Sequence, residues 1–363
     1  MSIVLENLYH EVNGVTRIHN VNLTLESGSF NVLLGKKGAI KAGKTTLMRL
    51  IAGLESPSKG RILKNGIDLV NVPVQQRNVS MVHHQFINYP HLTVRDNIAS
   101  PLRVIGLKKA EIEHKINEVA ALLHIESCLD RYPLELSGGQ QQRTAMARAL
   151  VKDADIILLD EPLVNLDYKL REELRTEIRD LLAARNCIAI YATTNPKVAM
   201  ALGGKLILMH EGRVIQEGAA SMIYNQPVNI QAAKLCSYPE INLIDGSITD
   251  NEIIFSNTLR YPLSSQIDEL VPGNYRFGIR PSHLKFVPTD DSDLELSMTV
   301  DLAEISGSET MIRLSNKHFT LVMHLAGVHK YHSDALIKVY MPVHKIFVFG
   351  VNDLLIKAPL LTY

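Results

Sequence analysis

The sequence predicts an α/β domain built on a parallel sheet, followed by a smaller all-β domain. The first observation is a pair of continuous apolar stretches, residues 154–160 and 187–193, that flank a helical stretch rich in Arg and Glu, Tyr168 to Ala184. A strand, a helix and a second strand in this order are typical of a parallel βαβ unit. The second observation is a change of pattern in the last third of the chain, where helical periodicity gives way to short strands separated by turns. We therefore expect two domains, residues 1–235 and 236–363.

Local patterns predict the other elements of the first domain. Residues 1 to about 30 alternate apolar and polar side chains, which indicates a half-buried antiparallel sheet. Residues 60–82 form short strands around an Asn65-Gly66 turn. Residues 92–150 have helical spacing, and we expect a helical subdomain over about 90–150. A hairpin is expected at Glu211-Gly212.

Composition excludes several classes of protein. Lys plus Arg equals Asp plus Glu at 38 each, so the formal net charge is zero. No overall positive electrostatic field would attract nucleic acid, and we expect no nucleic-acid partner. The three cysteines are far apart and lack the spacing of a metal site. No basic region opens the N-terminus, and no apolar run approaches the ~20 residues that span a bilayer. We expect a chain that acts at a membrane only through a partner.

A glycine-rich loop lies between a predicted strand, Phe30 to Gly35, and a helix-spaced stretch, Thr45 to Leu54. Its pattern, Gly-x-x-x-x-Gly-Lys-Thr, is that of a P-loop, in which backbone N–H groups and a helix N-terminus bind phosphates. We therefore expect a P-loop NTPase fold that binds ATP and Mg²⁺. Lys44 would neutralise phosphate charge, and the hydroxyl of Thr45 would hold Mg²⁺. The predicted nucleotide-binding residues are Gly38, Ala39, Ile40, Lys41, Ala42, Gly43, Lys44, Thr45 and Thr46.

Two acidic residues end the apolar strand that follows. Asp160 would lie at the sheet edge facing the P-loop, where its carboxylate would hold Mg²⁺. Glu161 would orient and polarise the attacking water. The alternative is a solvated acidic strand end, which is common for an isolated Asp-Glu pair and less expected downstream of a P-loop.

A second anion-binding loop precedes a predicted helix, Gln141 to Val151. The loop is Ser137, Gly138, Gly139 and Gln140. A serine and two glycines at a helix N-terminus form an anion-binding nest, although Ser137 is also explained as a simple helix cap. Since the P-loop already binds one phosphate, the economical arrangement is a dimer in which each loop covers the partner's γ-phosphate.

The strings Leu136-Ser-Gly-Gly-Gln140 and Leu158-Leu-Asp-Glu-Pro162 resemble those of the ATP-binding-cassette (ABC) ATPases, and the resemblance covers the whole chain. Within that family the chain is similar to the subunits that drive maltose-, glycerol-phosphate- and polyol-type importers. The segment from Gln85 to Pro90 is most similar to one of the paired ATPases of bacterial glycerol importers. The stretch Gly278 to Leu284 resembles the opening of their C-terminal OB-type regulatory domain.

The resemblance implies further roles and partners. It implies that Gln85 reaches Mg²⁺ and the attacking water, and that Asn165-Leu166-Asp167 is the D-loop that crosses to the partner ATPase. It implies two membrane permease subunits, contacted through residues 83–102, and indirectly an extracytoplasmic binding protein. The implied location is peripheral, at the cytoplasmic face of the inner (plasma) membrane. The resemblance implies a sugar or polyol as the solute, with glycerol as one candidate.

Three positions depart from the family pattern. Thr194 stands where a histidine is expected, and loss of one such contact to the γ-phosphate typically costs ~3 kcal/mol of barrier, or about a hundredfold in rate. Three extra residues lengthen the loop between Gly35 and the P-loop lysine. Val12 stands where an adenine-stacking aromatic is expected, with Tyr9 as a displaced alternative.

These departures leave the signature loop intact. We therefore expect a heterodimer with a second ATPase, in which this chain's own site turns over slowly; a homodimer is the alternative. The alternative hypothesis is a non-hydrolysing regulatory subunit that binds ATP and gates a partner ATPase, although the intact Glu161 and Gln85 argue against a complete loss of hydrolysis. A role in translation or repair lacks support, since there is no second cassette and no basic tract.

Overall fold

The computed structural model describes residues 1–36, 42–83, 85–164, 166–250, 252–256, 258–262 and 270–359. The chain divides into two compact units, Met1–Ala220 and Ser221–Tyr363. This division lies upstream of the boundary expected near residue 235. The physical reason is packing: Ile230 and Ala233, on a short helix before that boundary, join a cluster with Ile241 and Phe347 of the second unit. No helix among the described residues combines the length and hydropathy needed to cross a bilayer.

Most strands and helices of the first unit agree with the sequence-based prediction within a few residues at each end; the helix Pro196–Leu202 was not predicted, and the strand Val79–Val82 joins a different sheet from the one expected. Its strands are β1 (Ser2–Val12), β2 (Val15–Glu26), β3 (Phe30–Leu34), β4 (Lys59–Lys64), β5 (Ile67–Asp68), β6 (Val79–Val82), β7 (Ile156–Asp160), β8 (Ile188–Thr193), β9 (Lys205–His210) and β10 (Arg213–Ala219). Its helices are α1 (Lys44–Ala52), α2 (Val94–Val104), α3 (Lys109–Leu122), α4 (Gly138–Leu150), α5 (Tyr168–Ala184) and α6 (Pro196–Leu202).

An antiparallel sheet in the order β2-β1-β4-β5 forms one layer of this unit. Its strands alternate buried and exposed residues, as the sequence predicts for residues 1–30. The turn between β4 and β5 has Asn65 and Gly66 in the left-handed region, with φ of 52° and 81°. Two consecutive left-handed residues are what a two-residue hairpin of this type requires, so the predicted turn is confirmed.

The second layer is a largely parallel sheet in the order β10-β9-β3-β8-β7-β6. Leu34 is aligned with Thr193, and Asp160 is aligned with Ala192. The carboxyl ends of β3, β7 and β8 therefore meet at one edge, which confirms the predicted βαβ arrangement. Strand β6 was expected among short strands around the Asn65-Gly66 turn, but it joins the parallel sheet at its edge, beside β7. Its four residues lie beside an entirely buried strand, which explains the pairing.

The second unit begins with two short helices and continues as antiparallel strands. The helices are α7 (Ala220–Asn225), which starts at the division, and α8 (Ile230–Leu235). The strands are β11 (Asn242–Ile248), β12 (Glu252–Phe255), β13 (Leu259–Pro262), β14 (Gly273–Ile279), β15 (Leu294–Ser306), β16 (Glu309–Ser315), β17 (Thr320–Ala326), β18 (Leu336–Met341), β19 (Phe347–Phe349) and β20 (Leu355–Lys357). They form one sheet in the order β13-β12-β11-β14-β19-β20 and another in the order β17-β16-β15-β18.

Side chains from both of these sheets fill one core, which includes Phe255 and Phe277 from the first sheet and Met323 and Val339 from the second. The smaller all-β, OB-type domain expected from the sequence is therefore confirmed. The stretch singled out at Gly278 to Leu284 begins in β14, and its Arg280 is buried with its guanidinium 3.6 Å from the Tyr224 ring centroid.

Candidate active site

The predicted P-loop helix begins at Lys44, directly after β3 and the glycine-rich loop. Gly43 precedes it with a φ of 93°, and a side chain there would bring Cβ to 3.0 Å from the carbonyl oxygen of Arg17. Glycine is therefore required on both conformational and steric grounds. Lys44 is 8% exposed, and its Nζ donates to the carbonyl oxygen of Gly35 at 2.5 Å. The lysine is thus held at the N-terminus of α1, where a phosphate would bind.

The structure describes only part of the predicted nucleotide-binding set. Gly38, Ala39, Ile40 and Lys41 lie outside the described residues, as does most of the three-residue extension, so their roles stay predictions. Ala42 to Thr46 are described, and Ala42 accepts a hydrogen bond from Gly212 N at 3.1 Å. A Cβ on Gly35 would lie 2.6 Å from Ala42 Cβ and from the carbonyl oxygen of Met209. The loop end is therefore packed tightly against β9 and the turn that follows it.

Thr45 and Asp160 meet at the carboxyl edge of the parallel sheet. Thr45 Oγ1 donates to Asp160 Oδ2 at 2.7 Å, and Asp160 is 2% exposed. A hydroxyl and a carboxylate are hard oxygen donors, the type that Mg²⁺ prefers beside a triphosphate. The donor set therefore fits the predicted magnesium role of these two residues.

Glu161 lies one residue past the strand end in the left-handed region, with a φ of 52°. Its N–H donates to the carbonyl oxygen of Ala192 on the neighbouring strand at 3.1 Å, which holds the strained backbone in place. Its Oε1 is buried and has no hydrogen-bond partner among the described residues. A carboxylate oxygen that is buried and unpaired is available to accept a hydrogen bond from a water molecule.

Glu161, the predicted catalytic carboxylate, and Thr194, the residue in the histidine position, line the same cleft, while their catalytic roles stay predictions. The cleft is lined by Glu161, Leu163, Val164, Arg171, Arg175, Tyr191, Thr193, Thr194, Asn195 and Val198. Thr194 directly follows β8 and is half-buried. Asn195 caps α6 by accepting hydrogen bonds from the N–H groups of Lys197 and Val198. Burial, and then the nearby Glu161 carboxylate, raise the pKa of Tyr191 well above its usual range, so its hydroxyl stays protonated.

Gln85 is not brought into this cleft. It lies three residues beyond β6 with an exposed side chain, and its N–H donates to His83 Nδ1 at 3.3 Å. The segment that follows is attached to α4 instead. Asn88 Nδ2 donates to the carbonyl oxygen of Gln141 at 2.8 Å, and Arg148 Nη2 donates to that of Ile87 at 2.6 Å. The predicted roles of Gln85 toward Mg²⁺ and water stay predictions.

The predicted signature loop caps α4, which begins three residues earlier than the sequence suggests. Ser137 Oγ accepts from Gln140 N at 3.3 Å, and Gln140 Oε1 accepts from Ser137 N at 2.9 Å, a reciprocal capping box. Ser137 and Gly138 are exposed. A Cβ added to Gly138 would meet nothing within 4 Å beyond its own helix and chain neighbours in the described structure. Nothing within this part of the chain therefore requires glycine at 138.

The position expected for a base-stacking aromatic is apolar and open. Val12 ends β1 and is 40% exposed, directly opposite Val15. Tyr9 packs its ring against that of His19, with centroids 5.2 Å apart. This contact leaves Tyr9 partly buried in the sheet.

Three residues of this region were not identified from the sequence. Gln142 is fully buried in α4 and donates from Nε2 to the carbonyl oxygen of Pro162. Arg171 donates from Nη2 to the carbonyl oxygen of Leu166 at 2.6 Å and lines the cleft, and Arg148 holds the segment after Gln85. The contacts of Gln142 and Arg148 join segments that are distant in sequence, whereas that of Arg171 joins α5 to the loop just before it, and no sequence pattern signals any of the three.

Comparison with known proteins places this geometry in context. The family model described as ABC transporter matches residues 18–164. The chain is 35% identical over 300 residues to the sn-glycerol-3-phosphate import ATP-binding protein UgpC of Psychromonas ingrahamii, covering 83% of this chain and 78% of the relative. It is 36% identical over 319 residues to the maltose/maltodextrin import ATP-binding protein MalK of Yersinia pestis bv. Antiqua, covering 86% and 85%. Among solved structures, the dimeric structure of MJ0796, a bacterial ABC transporter cassette, is similar with a TM-score of 0.55 and 28% identity, over 60% of this chain and 98% of that one.

Proposed function

Because this chain belongs to the ABC transporter family, in which it is an ATP-binding subunit with ATPase activity, we propose that it drives solute import through two membrane permease subunits as half of an ATPase heterodimer. The observation that carries the nucleotide role is the 2.7 Å hydrogen bond between Thr45 Oγ1 and Asp160 Oδ2 beside the buried Lys44. These groups would hold Mg²⁺ and the phosphates of ATP. A nucleoside triphosphate supplies the phosphoryl group that is transferred to water.

In this proposal, the residues of the cleft prepare the attack. Glu161 accepts a hydrogen bond from the water through its unpaired Oε1 and so orients it. Lys44 and the N-terminus of α1 stabilise negative charge on the phosphates. Thr194 offers only a short hydroxyl in place of a histidine ring, so it stabilises less of the charge that develops during transfer.

Two features support a partner ATPase. Ser137 and Gly138 face solvent, and a Cβ at 138 would meet nothing within 4 Å in the described structure apart from its own helix and chain neighbours. A glycine that the chain's own packing does not need is explained by close approach of a partner, here the γ-phosphate bound to the second ATPase. The solved relative MJ0796 is described as a dimer.

The same comparison suggests the solute class and location. UgpC is named for the import of glycerol phosphate, and MalK for that of maltose and maltodextrin. We assign this chain a sugar, polyol or glycerol-phosphate solute, and a peripheral place on the cytoplasmic face of the membrane. The exposed Gln85 and the residues after it, up to about 102, would contact the permease. A binding protein outside the membrane would deliver the solute.

The test is ATP hydrolysis by the full chain alone, and then by the transporter complex captured through a tag on this chain and placed in liposomes. Heterodimer function predicts low activity for the chain alone and high activity for the complex, with a large loss on Ser137→Ala. High activity of the chain alone that Glu161→Gln abolishes would replace the heterodimer with a homodimer in which Thr194 is tolerated.

The second candidate is a non-hydrolysing subunit that binds ATP and gates a partner ATPase. The observation that favours it is Thr194 in the cleft beside Glu161. Glu161→Gln separates the two candidates, because transport-coupled turnover would not change if hydrolysis at this site were already absent.

A further inference from the structure

We propose that Gln142 is a positioning residue that couples this chain's own ATP site to the signature loop acting on the partner's site. The inference rests on the proposed function, since it assumes that Ser137 to Gln140 serve the partner ATPase. It goes beyond that function by naming the contact through which the two sites influence each other.

Gln142 lies inside the first unit, on the second turn of α4. Its side chain is 0% exposed, and Nε2 donates to the carbonyl oxygen of Pro162. Pro162 is the residue after Glu161, and Glu161 is in turn held by its hydrogen bond to Ala192. The amide of Gln142 therefore contacts the segment that carries both acidic residues of the ATP site.

The other end of the connection is the signature loop itself. Ser137 is the N-cap of α4, five residues before Gln142, which is about 7.5 Å along a helix axis. The capping box between Ser137 and Gln140 ties the loop to the helix, so the loop follows any displacement of the first turns. Close-packed interiors have low compressibility, so a displacement at the buried Gln142 is passed on to the packed residues around it.

Two further contacts reach the same first turns of α4. Leu166, in the predicted D-loop, lies close to Gly139: its Cδ2 would be 3.2 Å from a Cβ added at that position. Asn88, after Gln85, donates from Nδ2 to the carbonyl oxygen of Gln141 at 2.8 Å. The helix start therefore lies against the predicted D-loop and the segment after Gln85, and Gln142 is its buried polar link to the segment that carries both acidic residues of the ATP site.

Buried amide groups also occur for purely structural reasons, and the same unit provides an example. Asn31 in β3 is 0% exposed, donates from Nδ2 to the carbonyl oxygen of Ala189 at 3.1 Å and in addition to Ser29 Oγ at 2.8 Å, and leaves Oδ1 without a partner. Gln142 likewise leaves Oε1 without a partner in the described structure. Asn31 lies near the start of β3, at the end of the strand away from Gly35. Asn31→Leu therefore serves as the control for loss of a buried amide.

The experiment measures ATP hydrolysis by the purified transporter complex with Gln142→Met, which keeps the side-chain length and removes the donor. We expect kcat to fall about five- to tenfold, as for loss of one hydrogen bond that acts in the transition state, with KM for ATP within about twofold. Binding of a fluorescent ATP analogue to the isolated chain should stay within about twofold. Asn31→Leu should lower the melting temperature at least as much as Gln142→Met does, and it should leave kcat within about twofold of the native value.

A double-mutant cycle with Ser137→Ala decides whether Gln142 acts through the signature loop or has a purely structural role. If Gln142 acts through the signature loop, Gln142→Met should change kcat by less than about 1.5-fold in the Ser137→Ala background. Equal losses in both backgrounds, or no loss in the native background, would overturn the coupling. If Ser137→Ala itself has no effect, the role of this loop toward a partner fails, and the coupling fails with it. That outcome is recognised from the single Ser137 variant alone.

Discussion

Thr45 Oγ1 and Asp160 Oδ2 are joined by a hydrogen bond of 2.7 Å across 115 residues of sequence. Thr45 lies in the first turn of α1, and Asp160 is the last residue of β7. The contact therefore connects the phosphate-binding loop to the sheet edge that carries Glu161. When Mg²⁺ binds, these two oxygen atoms would exchange their mutual hydrogen bond for the metal and its water molecules.

Asp160→Asn tests this relationship directly. An amide keeps the shape but removes the negative charge, so we expect Mg²⁺-dependent affinity for a fluorescent ATP analogue to fall about tenfold to a hundredfold. Titrations with Mg²⁺ and with EDTA measure the effect, which should be absent in EDTA. Asp155→Asn is the matched control. Asp155 directly precedes β7, and its carboxylate pairs with Lys64 at 2.5 Å while 39% exposed, so its removal should leave binding within about twofold. Equal losses for both variants would contradict the magnesium role.

Gly138→Ala separates what this chain needs from what a partner needs. The added methyl group meets nothing within 4 Å apart from its own helix and chain neighbours in the described structure. Alanine also favours a helix more than glycine does. We therefore expect an unchanged or higher melting temperature and unchanged nucleotide binding by the isolated chain. ATP hydrolysis by the complex should fall about tenfold or more, because the methyl group would obstruct the partner's phosphate.

Unlike Gly138→Ala, the variant Gly139→Ala should also destabilise the chain itself. Its Cβ would lie 3.2 Å from Leu166 Cδ2, so this variant should lower both the melting temperature and the ATPase rate. If Gly138→Ala left the rate of the complex within about twofold of the native value, the signature loop would not approach a partner's nucleotide.

His283 should make the stability of the second unit depend on pH. Burial, and then the nearby Arg280 guanidinium, lower its pKa from 6.5 to about 4. Between these values the unfolded chain binds a proton that the folded chain does not, so stability falls as the pH falls through this window. We expect the second unit to lose up to about 2 kcal/mol between pH 7 and pH 4, after allowance for the partial exposure of the ring.

The measurement is urea unfolding of the full chain, followed by pulsed hydrogen exchange on the β14 segment, Gly273–Ile279, at several pH values. Fluorescence of tryptophan is not an option, because the chain has none. His283→Leu should flatten the pH dependence, whereas the exposed His332→Gln should not change it. A native slope that persists in His283→Leu would assign the effect to other groups.

Features set by neighbouring residues were predictable from the sequence. The capping box at Ser137 and Gln140 spans three residues, and the hairpin turn at Asn65-Gly66 spans two. The P-loop and the acidic strand end were also predictable, because a strand end and a helix start determine where Thr45 and Asp160 lie. The pairing of the parallel strands then brings Thr45, which follows β3, close to Asp160 at the end of β7, because parallel strands have their carboxyl ends at the same edge of the sheet.

Features set by distant residues were not predictable. Gln142 contacts Pro162 twenty residues away, and a glutamine in a helix has no pattern that signals a buried partner. The exposed position of Gln85 depends on how the segment after it attaches to α4 through Asn88. The division after Ala220 depends on where α8 packs, since its Ile230 and Ala233 join a cluster with Ile241 and Phe347, which both lie beyond the expected boundary.

Thr194→His tests whether this chain's own site is weakened by its threonine. The residue lines the cleft with Glu161, so an imidazole there would lie beside the γ-phosphate and stabilise developing charge. We expect single-turnover hydrolysis at this site to rise at least about tenfold, with about a hundredfold as the upper bound. The gain should carry a new pH dependence near the ordinary histidine pKa of ~6.5. Thr194→Asn is the control, since it adds a polar side chain of similar size without an ionisable ring. A rate that is unchanged in Thr194→His, or raised equally in Thr194→Asn, would mean that the threonine does not limit this site.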